Sequence, residues 1–589
     1  MRRKNYFSDG FLVAKKSLSK THDTLPSMTN HDVKNKLKKI HLELDKLKDD
    51  SRAVTLLVDF SESMVSEHDR LITENQTLKD KLNELTGEQG KPTIRKQTKS
   101  KDKSNDISSE ENRNKGKKKK TRGKGGSKKS KITTTRDVTL SMKPDDLPPD
   151  AKKSGRKRTV IQDVQFTVEN TVFIRQQYYS VMENKYYLTP LPPGYEGQYG
   201  PNIKSWTNAL YSNGQMTTDK ITWMFNTAGV LVSKPTVYSF LASAEPQMSE
   251  EKDAIVKSGL ASTPYQHLDD TSGREKGKNR NVNVLGNEFY SAYFTLPSKD
   301  RLTIIKMLSL GDLKFSINAE AFELMSVMNV PQKFIDALKE HVSLKYYTGA
   351  SIDKIMDTVF GSKNKGNRKL VIEAMAISAY RNSPYAIKQL IVDDAPQFKL
   401  ITEALGLCWI HEGRHYKKLK PVFKNNIRAL EKLIDDFWDY YHKLQEYKDN
   451  PTPELAKKRR GEFDTLFSRK TGCEILDKQI ALTYKKSKAL LLVLEYPNIP
   501  LHNNTAELMA RYQARSRDIH LHTMCEQGTS IKDALATVSG TAKKLSVNLF
   551  HYIYDRITQK FEMISLAELI TIRSMPISKN PSVCIMNTS

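Results

Sequence analysis

Residues 389–398 read QLIVDDAPQF, a short run with three apolar residues that meets two adjacent acids and then a proline. An apolar run of this length, bounded by turn residues, reads as a buried β-strand. It leaves Asp393 and Asp394 at its C-terminal end. Working outward, a helix is expected over 396–405, followed by a second strand-like run over 406–410. Upstream, 265–300 changes to strand composition. Val282, Val284 and Leu285, then 289–296, give a pair of strands that turn at Gly286-Asn287. Residues 301–385 read as mostly helical. So do 414–490, where Ile427, Leu430, Ile434, Phe437, Trp438, Tyr441 and Leu444 recur at spacings of three and four. Residues 503–565 are again helical, and the tail after Pro576 is expected to fray. Strands interleaved with helices give a mixed α/β class.

The bulk numbers bound the rest. A chain of 589 residues holds several domains. Its 95 Lys and Arg against 68 Asp and Glu give a net charge of +27, which favours a polyanionic partner, nucleic acid first. No apolar run is long enough to span a bilayer, and no secretory signal is read, so no membrane partner is expected. The four cysteines, Cys408, Cys473, Cys525 and Cys584, have no zinc-ligand spacing and suggest no disulfide framework. A reducing, intracellular compartment is expected.

Residues 31–86 read as a long helix with a coiled-coil seam. Val33, Leu37, Ile40, Leu44 and Leu47 alternate by four and three, and after a slip near His68 the pattern resumes through Leu71, Asn75, Leu78, Leu82 and Leu85. With the leucines at d, Asn75 falls at an a position, which fixes register in a parallel pair; a homodimer through 31–86 is the expectation. Residues 115–131, KGKKKKTRGKGGSKKSK, include Lys117, Lys118, Lys119 and Lys120 and have no apolar residue to nucleate packing. They read as a flexible polycation suited to phosphates. Residues 159–200 give short strands with the pairs Tyr178-Tyr179 and Tyr186-Tyr187. Residues 202–243 read as three helices, with Ile203, Trp206 and Leu210 on the first, Ile221, Met224 and Phe225 on the second, and Val237, Tyr238 and Leu241 inward on the third. Ser233 caps the third helix, so the unit has a helix-turn-helix layout.

Three acids stand out by context: Asp269 in HLDDT, just before the strand pair; Asp393 at the end of the apolar run; and Glu507 in HNNTAE, at a helix start. Two carboxylates at strand ends and one from a helix can converge on a sheet edge. Such a set suits two hard cations that serve an in-line phosphoryl transfer. A strand-end Asp alone is more often a loop cap, so the order of the segments matters more than any one of them.

In order, the segments HLDDT (267–271), VDDAPQF (392–398), LCWIHEGRHYKKL (407–419) and HNNTAELMARYQARSRD (502–518) resemble the blocks of bacterial DDE transposases of the insertion-sequence-sixty-six type. The resemblance runs over about 159–556. It implies an RNase H-like core in which Asp269, Asp393 and Glu507 are catalytic and hold two Mg²⁺ or Mn²⁺ ions, with Asp270 and Asp394 as alternates. Phe398, five residues on, favours Asp393 over its neighbour. His411, Arg414, Asn503, Asn504, Arg511 and Arg517 would lie against DNA, the arginines because their planar fork pairs with phosphate oxygens. The implied function is cleavage at the ends of a mobile element and strand transfer to target DNA, in a cytoplasmic, nucleoid-associated setting. The alternatives are a non-catalytic DNA-binding regulator and a metal-dependent nuclease without joining. Family members carry a Cys-rich zinc element after the N-terminal helix; this chain has the polycation there, so no zinc is expected. The expected organisation is a coiled-coil helix (1–89), a basic linker (90–158), a DNA-binding region (159–260), a first part of the core (261–413) with a helical insertion at 301–385, a helical insertion (414–490), the part of the core carrying Glu507 (491–565) and a tail (566–589).

Overall fold

Eleven residues, Tyr265–Glu275, form the strand on which the central sheet is built. The structure is a computed structural model that describes residues 134–143, 147–152, 155–164, 166–361, 364–421 and 423–575, with Met64, Arg70, Leu71, Glu74, Asn75 and Leu78. Those six isolated residues are helical and exposed; the rest of the coiled-coil seam, Lys117 to Lys120, and the tail after Met575 lie outside the described residues. By contacts the chain divides into two compact units, one containing 110–410 with 488–589 and the other containing 411–487.

In the first unit, β1 (Gln177–Ser180) and β2 (Lys185–Leu188) form an antiparallel hairpin. It places Tyr178 opposite Tyr187 and Tyr179 opposite Tyr186. The fold is mixed α/β, with a central sheet that pairs its strands both ways. Its strands β3 (Tyr265–Glu275), β4 (Lys278–Gly286), β5 (Ser291–Leu296), β6 (Gln389–Val392) and β7 (Ala404–Leu407) lie in the order β5-β4-β3-β6-β7. The pairs β3–β4 and β4–β5 are antiparallel, while β6 and β7 run parallel to β3.

The strand at 389–392 lies where the sequence predicts it, with all four residues buried. The pair turning at Gly286-Asn287 is β4 and β5. Three expectations are corrected. Asp269 precedes the strand pair as read, but it lies within a strand of its own, β3, and not at a strand end; the polar sequence of β3 has no apolar alternation to announce it, and its burial comes from its neighbours. The helix expected over 396–405 is only a 3₁₀ turn, Pro396–Phe398. Leu400 takes φ +69°, and the Leu400 and Ile401 carbonyls accept from the Arg381 guanidinium at 2.8 and 3.4 Å instead of from a helical ladder. The strand expected over 406–410 is β7, two residues earlier, and Trp409 and Ile410 already belong to the helix Trp409–Lys418.

The helical expectation for 301–385 is met by Arg301–Leu308, Ala319–Val327, Gln332–Leu338, Gly349–Phe360 and Lys365–Arg381. Asp300 and Asn318 cap two of these, each accepting from the backbone N–H three residues on. In the trihelical stretch Pro201–Ser212, Thr218–Thr227 and Lys234–Ser262 form as predicted, with Thr217 and Ser233 as caps. Ile221, Phe225, Val232, Val237 and Phe240 make its core. The third helix is much longer than the predicted unit and carries Pro246 on an exposed position. It packs against Glu526–Lys544 and Leu566–Ser574. The last of these corrects the expectation of a tail from residue 566: Ser565 and Glu568 form a capping box there. Tyr238, read as inward, is 37% exposed; Trp206 is 42% exposed, its ring against Phe550 at 4.5 Å. Among the described residues, no helix is long and apolar enough to cross a membrane.

The unit at 411–487 is helical, with Lys424–Asp449, Pro453–Ser468 and Glu474–Lys485 around Phe437, Trp438, Tyr441, Phe463 and Phe467. Of the apolar stripe read from sequence, Leu430, Phe437, Trp438, Tyr441 and Leu444 lie inside, Ile434 is half-buried and Ile427 is 37% exposed. Glu412 is buried and accepts from Thr483 Oγ1 at 2.5 Å and from Lys486 Nζ at 2.8 Å. Gly413 is required by packing, because a Cβ there would stand 2.6 Å from the Trp438 ring. Gly413→Ala is expected to destabilise this unit by about 1–3 kcal/mol through overpacking; an unfolding midpoint in urea equal to that of wild type would contradict it.

Candidate functional site

The register of β3 against β6 assembles the acids. Tyr265 pairs with Gln389 and His267 with Ile391. Continuing two residues along both strands brings Asp269 level with Asp393, the first residue beyond β6. Side chains alternate across a strand, so Asp269 shares a face with its antiparallel partner Val284. That face is covered by the helix Asn504–His520, since Val284 packs with Ala506 and Met509. Glu507, in the first turn of this helix, therefore comes down on the same face. All three carboxylates are half-buried.

Electrostatics report the convergence. The Asp269 carboxyl is pushed up to about 7. Burial is the largest cause, followed by the negative charge of Asp393, with smaller contributions from Asp270 and Glu507; a hydrogen bond from the Asp270 N–H, at 2.8 Å, acts the other way. Low dielectric and like charges both penalise ionisation. The alternates are engaged elsewhere. Asp270 points to the opposite face and accepts from Gln397 Nε2 at 3.0 Å. Asp394 pairs with Lys399 at 3.0 Å.

Asn503 holds the helix to the strand. It is fully buried, donates from Nδ2 to the Leu268 carbonyl at 3.0 Å, and has His267 Nδ1 at 2.9 Å from its Oδ1. With Oδ1 only able to accept, His267 carries its proton on Nδ1. The Asn503 N–H donates to Cys408 Sγ at 3.2 Å, and that sulfur lies within 4.8 Å of a Glu507 carboxylate oxygen. Asparagine at such a position usually caps the helix; here the side chain makes no cap hydrogen bond and is spent on β3 instead. The sequence places Asn503 at the site but gives no sign of this clamp, nor of His267 in it.

The remaining candidates are distributed. Asn504 opens the helix. Arg517, near the other end, donates to the Ser272 carbonyl at 2.7 Å and to the Ser272 hydroxyl, fixing the helix to β3 a second time. Arg511 lines a cleft with Arg515, Lys543 and Lys544, between this helix and Glu526–Lys544. Arg515 went unremarked in the sequence, although its spacing of eight from Glu507 on one helix is a usable signal. His411 and Arg414 belong to the other unit, one turn apart on the helix Trp409–Lys418, with Arg414 Nη1 donating to His411 Nε2 at 3.2 Å.

Asp269 stands level with Asp393, and the charges of Asp393 and Glu507 are near enough to raise its carboxyl; such a set suits a hard divalent cation and phosphoryl chemistry. No family model matches the chain. The uncharacterized protein y4jO of Sinorhizobium fredii (strain NBRC 101917 / NGR234) is 30% identical to it over 331 residues, 54% of this chain and 100% of that protein. This chain belongs to the same family as y4jO of Sinorhizobium fredii.

Proposed function

We propose that this protein is a DDE-type transposase of the insertion-sequence-sixty-six type, built on an RNase H-like core. The observation that carries the reading is the placement of Asp269 and Asp393 level on adjacent parallel strands, under a helix whose first turn supplies Glu507. The strand order, three antiparallel strands continued by two parallel ones, supports the RNase H-like assignment, as does the ordered set of sequence blocks.

The donor set fits two Mg²⁺ or Mn²⁺ ions. All three groups are carboxylates, and the crowding that keeps the Asp269 proton on up to about pH 7 is what a divalent cation relieves. Bound there, the ions would activate the attacking oxygen and stabilise the leaving one. The chain's own residues supply the geometry. Asn503 and Arg517 lock the Glu507 helix onto β3, so the carboxylates stay preorganised instead of recoiling from one another. Water would first be directed at a phosphodiester at the element end, and the freed 3′-OH would then attack target DNA. The partners are double-stranded element ends and target DNA, with a second copy through 31–86 and a nucleoid-associated, cytoplasmic setting.

The test is purified protein with Mg²⁺ or Mn²⁺ on DNA carrying the ends of its own element, run beside Asp393→Asn. Cleavage and end joining that vanish in the variant are expected. Binding without cleavage by either protein would turn the reading to the DNA-binding regulator, cleavage without joining would turn it to the nuclease, and cleavage that survives in the variant would remove Asp393 from the site.

A further inference from the structure

We infer that the cleft between the helices Asn504–His520 and Glu526–Lys544 seats the sugar–phosphate backbone of a DNA duplex, gripped by Arg511, Arg515, Lys543 and Lys544. This rests on the transposase reading and adds to it a duplex-binding surface on the helix that carries Glu507.

The cleft encloses about 710 Å³ between the helices Asn504–His520 and Glu526–Lys544 and the β4–β5 connection. Four of its lining residues are basic and one, Glu288, is acidic. Glu288 accepts from the Tyr265 hydroxyl at 2.8 Å. Glu507, Arg511 and Arg515 recur at intervals of four on one helix, so each stands next to the one before it, and Arg511 and Arg515 line the cleft. Lys543 and Lys544 face it from the neighbouring helix. Arg515 and Lys543 are exposed, available to a ligand from solvent. Lys544 is held in place, donating to the Asn287 and Tyr290 carbonyls at 2.5 and 2.6 Å. Its burial pushes the ammonium down to about 7, and an incoming phosphate would restore its charge. Arginines and lysines on two helices flanking an open groove suit an extended polyanion, whose phosphates repeat along the strand, better than a single small anion.

The experiment measures binding of the full-length chain to a fluorescein-labelled duplex by anisotropy across a salt series, in EDTA so that no cleavage intervenes. Arg515→Glu with Lys543→Glu is compared with Lys306→Glu with Lys345→Glu, an equal charge change on exposed lysines of 301–385. Each lost phosphate contact removes about 0.9 from the slope of log affinity against log salt. The cleft pair should therefore lower the slope by about 1.8, and the control pair should leave it unchanged. Arg515→Gln with Lys543→Gln should lower it likewise, which keeps the comparison open should the Glu pair fold poorly. An unchanged slope in the cleft variants, or an equal fall in the control, overturns the assignment. Wild type that cleaves while the cleft pair binds normally sinks the cleft and spares the transposase. Loss of binding in the cleft pair, with no cleavage by wild type, does the reverse.

Discussion

Asp269→Asn should reduce metal-dependent DNA cleavage by roughly 10³-fold and, in the absence of divalent cations, make the protein more stable at pH 8. The first effect follows from losing a ligand: metal stabilisation of a phosphoryl-transfer transition state supplies several kcal/mol, and each ~1.4 kcal/mol is tenfold in rate. The second follows from proton linkage. The folded-state carboxyl keeps its proton up to about 7, against 3.8 for the same group in an unfolded chain. Between those limits the native state binds more protons than the unfolded chain, so stability is lost as pH rises through the window. The loss is on the order of 4 kcal/mol, complete only above pH 7. Asparagine does not titrate, so the variant should lack this slope. Urea unfolding at pH 4 and pH 8, in EDTA, reads the difference. Adding Mg²⁺ at pH 8 should then raise the wild-type midpoint and leave that of Asp269→Asn nearly still, because binding to the native state stabilises by mass action. Identical pH slopes for the two proteins would mean that Asp269 is not forced to hold its proton, and the acids would not be as crowded as the geometry makes them.

Removing Asn503 should do comparable damage by a different route. In Asn503→Ala the Leu268 carbonyl and the His267 Nδ1–H both lose their buried partner. Unsatisfied buried groups cost about 1–3 kcal/mol each, so a loss on the order of 3 kcal/mol is expected. Glu507 stands one turn further along the same helix, so loosening its first turn shifts a carboxylate relative to Asp269. A displacement of about 1 Å can cost ~10²-fold in rate. A residue that only held the fold would lower the unfolding midpoint but leave kcat of the folded protein unchanged at low temperature. The positioning role predicts a kcat that stays low at 10–15 °C, where the variant is fully folded, and a weaker response to Mg²⁺ in the unfolding midpoint. Normal kcat with reduced stability would leave Asn503 a purely structural residue.

The sequence by itself settled what depends on neighbours along the chain. The strand 389–392 is legible because residues buried on both faces leave no polar position in Leu390-Ile-Val392, and the acid that follows marks where the chain returns to solvent. Helices with a cap and a periodic apolar face, such as Thr218–Thr227 behind Thr217 and Lys424–Asp449 with its inward aromatics, are legible for the same local reason. Asp269, Asp393 and Glu507 could be named because each stands in a recognisable block. The tertiary structure alone decided how they meet. The level pairing of β3 with β6 joins segments separated by the whole helical stretch 301–385, and parallel register is set by long-range hydrogen bonds that no local pattern encodes. The same holds for Tyr265–Glu275, a strand made of polar residues because strands and helices around it supply its burial. It holds for 396–405, where the Arg381 guanidinium takes carbonyls that a helix would have used. It holds for Asn503, whose amide serves a distant strand instead of its own helix, because the Leu268 carbonyl and the His267 ring stand buried within its reach.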